Sequence, residues 1–492
     1  MSVGDLSGLA ALTDDAIATR PLDARPALAR AVFCALIAFG AFFVFVVPPI
    51  QPPDEDSHFT RAVMISEGSF LAARQGSGWG QNVPVSLRDY VVAHSALQGH
   101  SERKYSYDRW YADSYMASAR EPRVQHFYSA LPASPLLYLP QVAGILAGKV
   151  IYRVIPYMSF SWPAALYFAR LGNLVAFGAC LAFAIAIAPA LHSVLAFVAL
   201  MPMSLSLAAS ASYDVTAIGA CVVFIAMLLA AAGPERPTGR QWIVLVVSAF
   251  FVGHAKAVYA PLVLCAVVLK EDRSWPEFLR LGSALVGASA LGLVATLLIA
   301  RGVDDPSQAA AFAAQTRYLL EHLLWIPTLI ADTFAARGQF YVTSAAAEFG
   351  SLDTNLPLPA VATVWALFVL AIVTDALTPQ NRLLGWAARL CILVACAASV
   401  TLLMLVIYVR WTSVQPGLGI GAPVADGVQG RYFIPLLVPL AVAVSFGSTA
   451  LSRAAAEYRP TLLAVQLAAS KALLAVASFA IVLRYYIPAP AP

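Results

Sequence analysis

The chain has 492 residues, of which 60% are hydrophobic and only 12% are charged. Because soluble domains carry about 25% charged residues, this composition excludes an ordinary soluble domain and predicts an all-α polytopic membrane protein. The net charge of +4 is small and the basic residues lie in short loops between apolar segments, which indicates membrane topology rather than nucleic-acid binding.

The chain is predicted to begin with a cytoplasmic segment, residues 1–30, and to continue as one transmembrane domain, residues 31–487. No small-residue cleavage site follows the first apolar segment, so we expect it to be retained as a span. About eleven segments are apolar enough to be predicted as spans. They cover about residues 31–50, 163–189, 191–209, 213–232, 241–256, 258–270, 279–300, 358–377, 388–409, 431–450 and 463–487. All six cysteines lie in apolar segments without a CxxC pair, so neither a disulfide framework nor a zinc site is expected.

Residues 134–150 are also apolar, but the segment is short and contains Pro140, so it is predicted to be an interfacial helix rather than a span. This interpretation sets the topology. The short basic loops then all fall on the cytoplasmic side, as the positive-inside rule requires, whereas an additional span would invert them. These loops lie near residues 236–240, 270–280, 382–389 and 453–459.

The same topology predicts three long extracytoplasmic loops, at residues 51–160, 301–357 and 410–430. The first is rich in Tyr and Trp, side chains that suit a membrane interface and that also stack on sugar rings.

An acidic motif, Pro52-Pro53-Asp54-Glu55-Asp56-Ser57-His58, follows the first span. A hydrophobic helix that ends at proline pairs and is followed by three carboxylates places acidic groups at the membrane surface, so we take the motif as the candidate active centre. Two alternative roles for these residues stay open. Asp54 could cap a helix that carries Glu55 and Asp56 in its first turn, or Asp54 and His58 could share a helix face as metal ligands.

Four ionisable residues lie in or beside predicted spans: Arg170, Asp214, Lys256 and Arg431. Each costs about 2.5–3.5 kcal/mol on insertion scales, so each is a functional candidate unless it is paired or lies at an interface. The topology places all four toward the outer side, where the acidic motif lies. The alternative is that Asp214 only neutralises Arg170 or Lys256 in a structural ion pair.

Several motifs occur in a characteristic order: PPDEDSHF, ASPLLYLP, ARLGN, LMPMSLSLAASASYD, KAVYAPL and VQGRYFIPLLVPL. Over about residues 31–450 the chain resembles the bacterial membrane proteins grouped as domain of unknown function 2142, a family placed with the GT-C glycosyltransferases. The resemblance implies a GT-C-like helical enzyme of the bacterial cytoplasmic membrane. Such an enzyme takes a sugar from a polyprenyl-phosphate donor on the outer face, and its essential acidic pair corresponds here to Asp54 and Glu55.

The chemistry of that reaction suits these residues. Asp54 or Glu55 would take the proton of the acceptor hydroxyl, and the anionic leaving group needs cations, supplied by Lys256, Arg431 and Arg170. Supporting roles are predicted for Asp56, His58, Asp214, Tyr259 and Tyr432. Without a covalent intermediate the anomeric centre should invert.

The acceptor would be a cell-envelope glycan, lipid or protein. No cofactor is required by this chemistry, although a divalent cation, Mg²⁺ or Mn²⁺, held by Asp54, Glu55 and Asp56 is an alternative. A transporter or flippase of lipid-linked sugars is the competing function. Transporters tend to place charges near the bilayer midplane, whereas the charges here collect at one face.

Overall fold

The structure is a computed structural model that describes residues 24–75, 78–106, 108, 121–155, 159–233, 236–303, 305, 307–377, 384–445 and 454–488. Most of the predicted cytoplasmic segment 1–30 and parts of the basic loops at 382–389 and 453–459 lie outside these ranges, as does the end of the predicted span 431–450.

The described chain is mostly helical. The α-helices are α1 Ala24–Val46, α2 Glu55–Ser66, α3 Val85–Ser95, α4 Leu139–Val154, α5 Trp162–Ile187, α6 His192–Leu200, α7 Pro202–Ala208, α8 Asp214–Ala231, α9 Gly239–Ala255, α10 Trp275–Ala300, α11 Ala309–Glu321, α12 Ile326–Ala347, α13 Leu358–Ala376, α14 Trp386–Arg410, α15 Leu437–Val444 and α16 Arg459–Tyr486. Tighter 3₁₀ segments cover Pro135–Tyr138, Ala257–Asp272, Leu323–Trp325, Thr412–Val414, Gly430–Leu436 and Ala456–Tyr458. The strands are β1 Ala73–Gln75, β2 Gly78–Pro84, β3 Arg123–His126, β4 Glu348–Phe349 and β5 Thr354–Asn355.

Among the described residues, eight helices are long and apolar enough to cross a membrane, or nine if α11 and α12, bent by 85°, form one span. The predicted all-α polytopic membrane fold is confirmed at this level. The count differs from the predicted eleven because several apolar segments are not long continuous α-helices. Residues 191–209 are divided between α6 and α7 at Pro202, and α9 has only 17 residues. The segment 258–270 lies entirely in a 3₁₀ helix that contains Pro261, and the segment 431–450 begins in one that contains Pro435.

The segment predicted as a short interfacial helix is longer than expected. It runs from Pro135 to Val154 and is one of the eight helices that are long and apolar enough to cross a membrane. Pro140 does not interrupt it, since it lies in the first turn of α4, where its missing N–H needs no partner. Both ends of this segment contact α2 of the first loop. His58 lies 2.7 Å from the Tyr138 hydroxyl, and Lys149 Nζ donates to Ser66 Oγ at 3.2 Å. The interfacial position and the topology that depends on it therefore stay predictions.

The first long loop contains a small antiparallel sheet in the order β1-β2-β3, in which Ala73 is opposite Gly80 and Val83 is opposite Val124. The second long loop, residues 301–357, is mainly helical rather than irregular. Its Ala-rich sequence from Ala309 onward consists largely of good helix formers, which explains α11.

The centre of the protein is formed by α6 and α7, in which every residue is buried. The buried N-terminus of α6 would leave unpaired amides in an apolar environment. The Asp375 carboxylate of α13 accepts from the amides of Ser193 and Val194 at 3.0 and 2.9 Å, which satisfies them. Around this centre pack α1, α5 and α8, whose ends carry the candidate site.

Candidate functional site

The acidic motif begins with a strained turn between α1 and α2. Ile50 and Asp54 have φ angles of 64° and 59°, in the left-handed region that non-glycine residues rarely adopt. Such a conformation persists only where surrounding contacts hold it, and it is common at functional sites. Gln98 Nε2 donates to the Ile50 carbonyl at 2.6 Å, and Gln51 Nε2 donates to the His94 carbonyl at 2.9 Å. Contacts from α3 and the residues just after it thus stabilise the turn.

Glu55 forms the main anchor of this turn. Its carboxylate accepts from Arg170 Nε at 2.8 Å and Nη2 at 2.5 Å, and also from the amides of Ile50 and Ala211, each at 3.0 Å. Both side chains of the pair are completely buried. A carboxylate has about four acceptor positions, and all four are used here. Glu55 therefore has no position left for the proton of an acceptor hydroxyl, in contrast to its predicted role as a base.

Arg170 is equally occupied. Besides Glu55, its Nη1 donates to the carbonyls of Val44 and Val47 and its Nη2 donates to the carbonyl of Pro48, at 2.7–3.0 Å. All five N–H groups of the guanidinium are therefore satisfied within the protein. The prediction that Arg170 binds the donor phosphate does not fit this geometry. Instead, Arg170 holds the end of α1 and the strained turn in place.

Asp54 has a different environment from Glu55. Its side chain is 50% exposed, and one carboxylate oxygen lies 2.5 Å from Arg431 Nη2. Asp54 occupies the N-cap position of α2, but its side chain makes no capping hydrogen bond, so capping does not explain the residue. Burial acts to raise the pKa of the carboxyl, but the Arg431 charge outweighs it and the pKa is lowered. Asp54 is therefore an ionised carboxylate at neutral pH.

A second ion pair adjoins the first. Asp214 lies 2.5 Å from Lys256 Nζ, and its other oxygen lies 3.4 Å from Arg431 Nε. Asp54, Arg431, Asp214 and Lys256 thus form a continuous line of alternating charge, which we name the charged cluster. The partners of Asp214 are Lys256 and Arg431 rather than Arg170. Side-chain exposure falls from 50% at Asp54 to 18% at Lys256, 8% at Asp214 and 2% at Arg431, so solvent reaches the cluster mainly at Asp54.

Tyrosine rings surround Lys256. Its Nζ lies 4.3 Å from the ring centroid of Tyr432 and 5.4 Å from that of Tyr213, distances at which the ring faces attract a cation. The Tyr259 hydroxyl donates to the Tyr432 carbonyl at 2.9 Å and so fixes the backbone beside Arg431. Tyr259 and Tyr432 were predicted as supporting residues. Tyr213 was missed, although it immediately precedes Asp214 in the sequence.

His58 lies beside the charged cluster without joining it. Its Nδ1 shares a hydrogen bond of 2.7 Å with the Tyr138 hydroxyl, and its ring packs edge-on against Tyr213 with centroids 5.0 Å apart. Burial lowers the pKa of His58 to about 4 and outweighs the attraction of Asp54 and Asp214, so the imidazole is neutral at pH 7. Tyr138 was not predicted from the sequence, because only the fold brings it to His58.

Two of the three carboxylates of the motif are held by different arginines. Glu55 pairs with Arg170 and Asp54 pairs with Arg431. Burial, together with the neighbouring Asp54 and Glu55 charges, raises the pKa of Asp56. Within the part of the chain that the structure describes, no group of three or more His, Cys, Asp and Glu residues could hold a metal ion. The alternative of a divalent cation bound by all three carboxylates therefore does not fit the arrangement.

Comparison with known proteins identifies the family of this chain. A family model described as "Predicted membrane protein (DUF2142)" matches residues 37–440, which include every member of the charged cluster and the Glu55–Arg170 pair. No curated protein and no solved structure matches the chain. The family resemblance predicted from the motifs is thus confirmed. The chain belongs to the DUF2142 family of predicted membrane proteins.

Proposed function

We propose that the protein is a GT-C-type membrane glycosyltransferase. It would transfer a sugar from a polyprenyl-phosphate donor to a cell-envelope glycan, lipid or protein on the extracytoplasmic face of the bacterial inner membrane. The observation that carries this proposal is the half-exposed Asp54 carboxylate, held in a strained turn and joined through buried Arg431 and Asp214 to Lys256. One accessible base beside two cations suits transfer from a phosphate-linked sugar.

Asp54 is the proposed base. It is ionised and accessible, whereas Glu55 is enclosed and fully hydrogen-bonded. In the reaction the acceptor oxygen forms a bond to the anomeric carbon and gives its proton to Asp54. The bond from that carbon to the phosphate oxygen breaks, and the polyprenyl phosphate leaves with the electron pair. A single displacement of this kind inverts the anomeric centre.

The charge of the cluster constrains how the phosphate binds. Two carboxylates and two cations sum to zero, so the cluster offers a phosphate a net positive charge only if a carboxylate leaves one of the cations. Asp54 is the exposed partner, and Arg431 can offer a forked contact to a phosphate. We infer that the phosphate displaces Asp54 from Arg431. Loss of that ion pair would raise the pKa of Asp54 and strengthen it as a base when the donor is bound.

The proposal is tested with the purified full-length protein in lipid nanodiscs. The protein is supplied with a set of labelled polyprenyl-phosphate sugars and membrane-derived acceptors, and release of the free polyprenyl phosphate is followed. We expect carrier release that depends on both donor and acceptor. Absence of release with every donor, in protein that is folded and binds polyprenyl phosphate, would contradict the proposal.

One observation favours the competing function, a transporter or flippase. Helices α6 and α7 form a buried broken helix, and broken helices at membrane depth are a feature of transporters. Movement of a fluorescent lipid-linked sugar across proteoliposome membranes, without any transfer to an acceptor, would support that function. We expect transfer without movement, because the charged cluster lies at one end of the helices.

A further inference from the structure

An apolar cleft of about 240 Å³ lies between α5, α8 and α9, below the first turn of α4. Its walls include Phe177, Cys180, Ala220 and Phe251. Thr216 and Ser248 also line it, but their hydroxyls are already engaged. Thr216 donates to the Leu137 carbonyl at 3.0 Å and Ser248 to the Leu245 carbonyl at 2.8 Å. With its hydroxyls already bonded, the cleft suits a hydrocarbon. It exceeds the roughly 150 Å³ of an apolar cavity that takes up benzene.

The cleft is continuous with the lipid-facing surface. Val247 lines it and is 48% exposed. Both α5 and α8 are candidate spans, and α9 is a shorter apolar helix. A chain dissolved in the bilayer can therefore enter the cleft from the side.

The outer end of the cleft adjoins the candidate site. One turn of 3₁₀ helix, Pro135–Tyr138, separates the two. On the cleft side, its Leu137 carbonyl accepts from Thr216. On the other side, the Tyr138 hydroxyl bonds His58. The first turn of α8 makes the same connection, because Asp214 belongs to the charged cluster and the next two residues line the cleft.

We propose that this cleft binds the isoprenoid chain of a polyprenyl phosphate whose phosphate lies at Lys256 and Arg431. The inference rests on the proposed function, which requires such a carrier. A ligand that is apolar along the cleft and anionic at its outer end matches the lining and the adjacent cations. Small lining residues, including Gly219 and Ala220, leave room for the methyl branches that distinguish an isoprenoid from a straight acyl chain.

Ala220→Phe fills the cleft with a ring from α8. Ala290→Phe, on the exposed face of α10, is the matched control because it adds the same ring toward lipid. Each variant is placed in nanodiscs, and binding of radiolabelled farnesyl phosphate and dimethylallyl phosphate is measured. These probes share a phosphate and differ in chain length. We expect Ala220→Phe to weaken farnesyl phosphate binding about tenfold or more relative to Ala290→Phe, with dimethylallyl phosphate binding unchanged.

Equal farnesyl phosphate affinity in the two variants, with equal melting temperatures, would overturn the inference. Equally strong competition by dioleoyl phosphatidic acid would also overturn it, because the cleft would then take any lipid chain. Failure of this inference can be distinguished from failure of the proposed function. Cleft-dependent binding without sugar transfer would contradict the enzyme alone, and transfer that is unaffected by Ala220→Phe would contradict the cleft alone.

Discussion

Two neighbouring carboxylates, Asp54 and Glu55, each pair with an arginine, yet the two pairs differ in almost every physical property. The Glu55–Arg170 pair is completely buried, and both side chains have all their hydrogen-bonding positions filled inside the protein. The Asp54–Arg431 pair has a carboxylate that is half exposed and an Arg431 Nε that lies 3.4 Å from an Asp214 oxygen without forming a hydrogen bond to it. A satisfied, enclosed pair can hold a turn, whereas an accessible, partly satisfied pair can exchange partners with a ligand. The comparison therefore separates a structural acid from a candidate catalytic one.

The largest effect is expected for Asp54→Asn, assayed by carrier release. The amide keeps the shape of the side chain but cannot take up a proton, so we expect activity to fall by about a hundredfold to ten-thousandfold. Melting temperature should stay near the wild-type value, since the side chain is half exposed and caps no helix. Asp56→Asn is the control and should keep its activity, because the same change is made at a neighbouring acid outside the charged cluster. Transfer within a few fold of wild type in Asp54→Asn would place the base elsewhere.

Glu55→Gln should act on stability rather than on the chemical step. The amide group of Gln would face N–H donors from Arg170, Ile50 and Ala211, and it would leave the Arg170 charge buried without a counter-ion. Breaking a buried pair costs about 3–5 kcal/mol. The measurement is the free energy of unfolding in detergent. A variant as stable as wild type, but inactive, would assign Glu55 a catalytic role and reverse the comparison.

Arg431 and Lys256 should control donor affinity. Removing a hydrogen bond to a charged group costs about 1.5–3 kcal/mol, so Arg431→Met is expected to weaken farnesyl phosphate binding by about tenfold to a hundredfold. Lys256→Met should have a similar effect, and Arg431→Lys should restore only part of the affinity because the fork is lost. Asp54→Asn should instead tighten binding, since it removes the competing carboxylate. Weaker binding in Asp54→Asn would contradict displacement of Asp54 by the phosphate.

The smallest effect concerns pH. In the free protein the pKa of Asp54 is lowered from its ordinary value of 3.8, so the carboxylate stays ionised until the pH falls below that value. The fall of kcat/KM at acid pH reports the pKa of the base in the free enzyme. The corresponding fall of kcat reports its pKa in the enzyme–substrate complex. If the phosphate displaces Asp54 from Arg431, Asp54 should be protonated at a higher pH in the complex. We therefore expect kcat to fall at a higher pH than kcat/KM. His58→Gln serves as a control for the imidazole, whose pKa is about 4. If kcat and kcat/KM fall at the same pH in that variant, the phosphate does not displace Asp54 from Arg431.

The sequence by itself determined the class of the protein and its general fold, because apolar segments and the scarcity of charge identify membrane helices without knowledge of their neighbours. It also identified the acidic motif and the four ionisable residues near the spans, since a charge in an apolar segment is costly wherever the helix packs. The family followed from the order of the motifs. The 3₁₀ and broken segments were not foreseen, because apolar composition alone does not distinguish them from continuous helices.

Only the tertiary structure decided which acid pairs with which arginine. Glu55 meets Arg170 across 115 residues of sequence and Asp54 meets Arg431 across 377, distances over which no local pattern reports contact. The strained turn at Ile50 and Asp54 directs the two adjacent side chains to different partners, and burial then makes one pair structural and leaves the other accessible. Adjacent residues of the same chemistry thus acquire different roles, because burial and hydrogen bonding depend on the packing of distant helices.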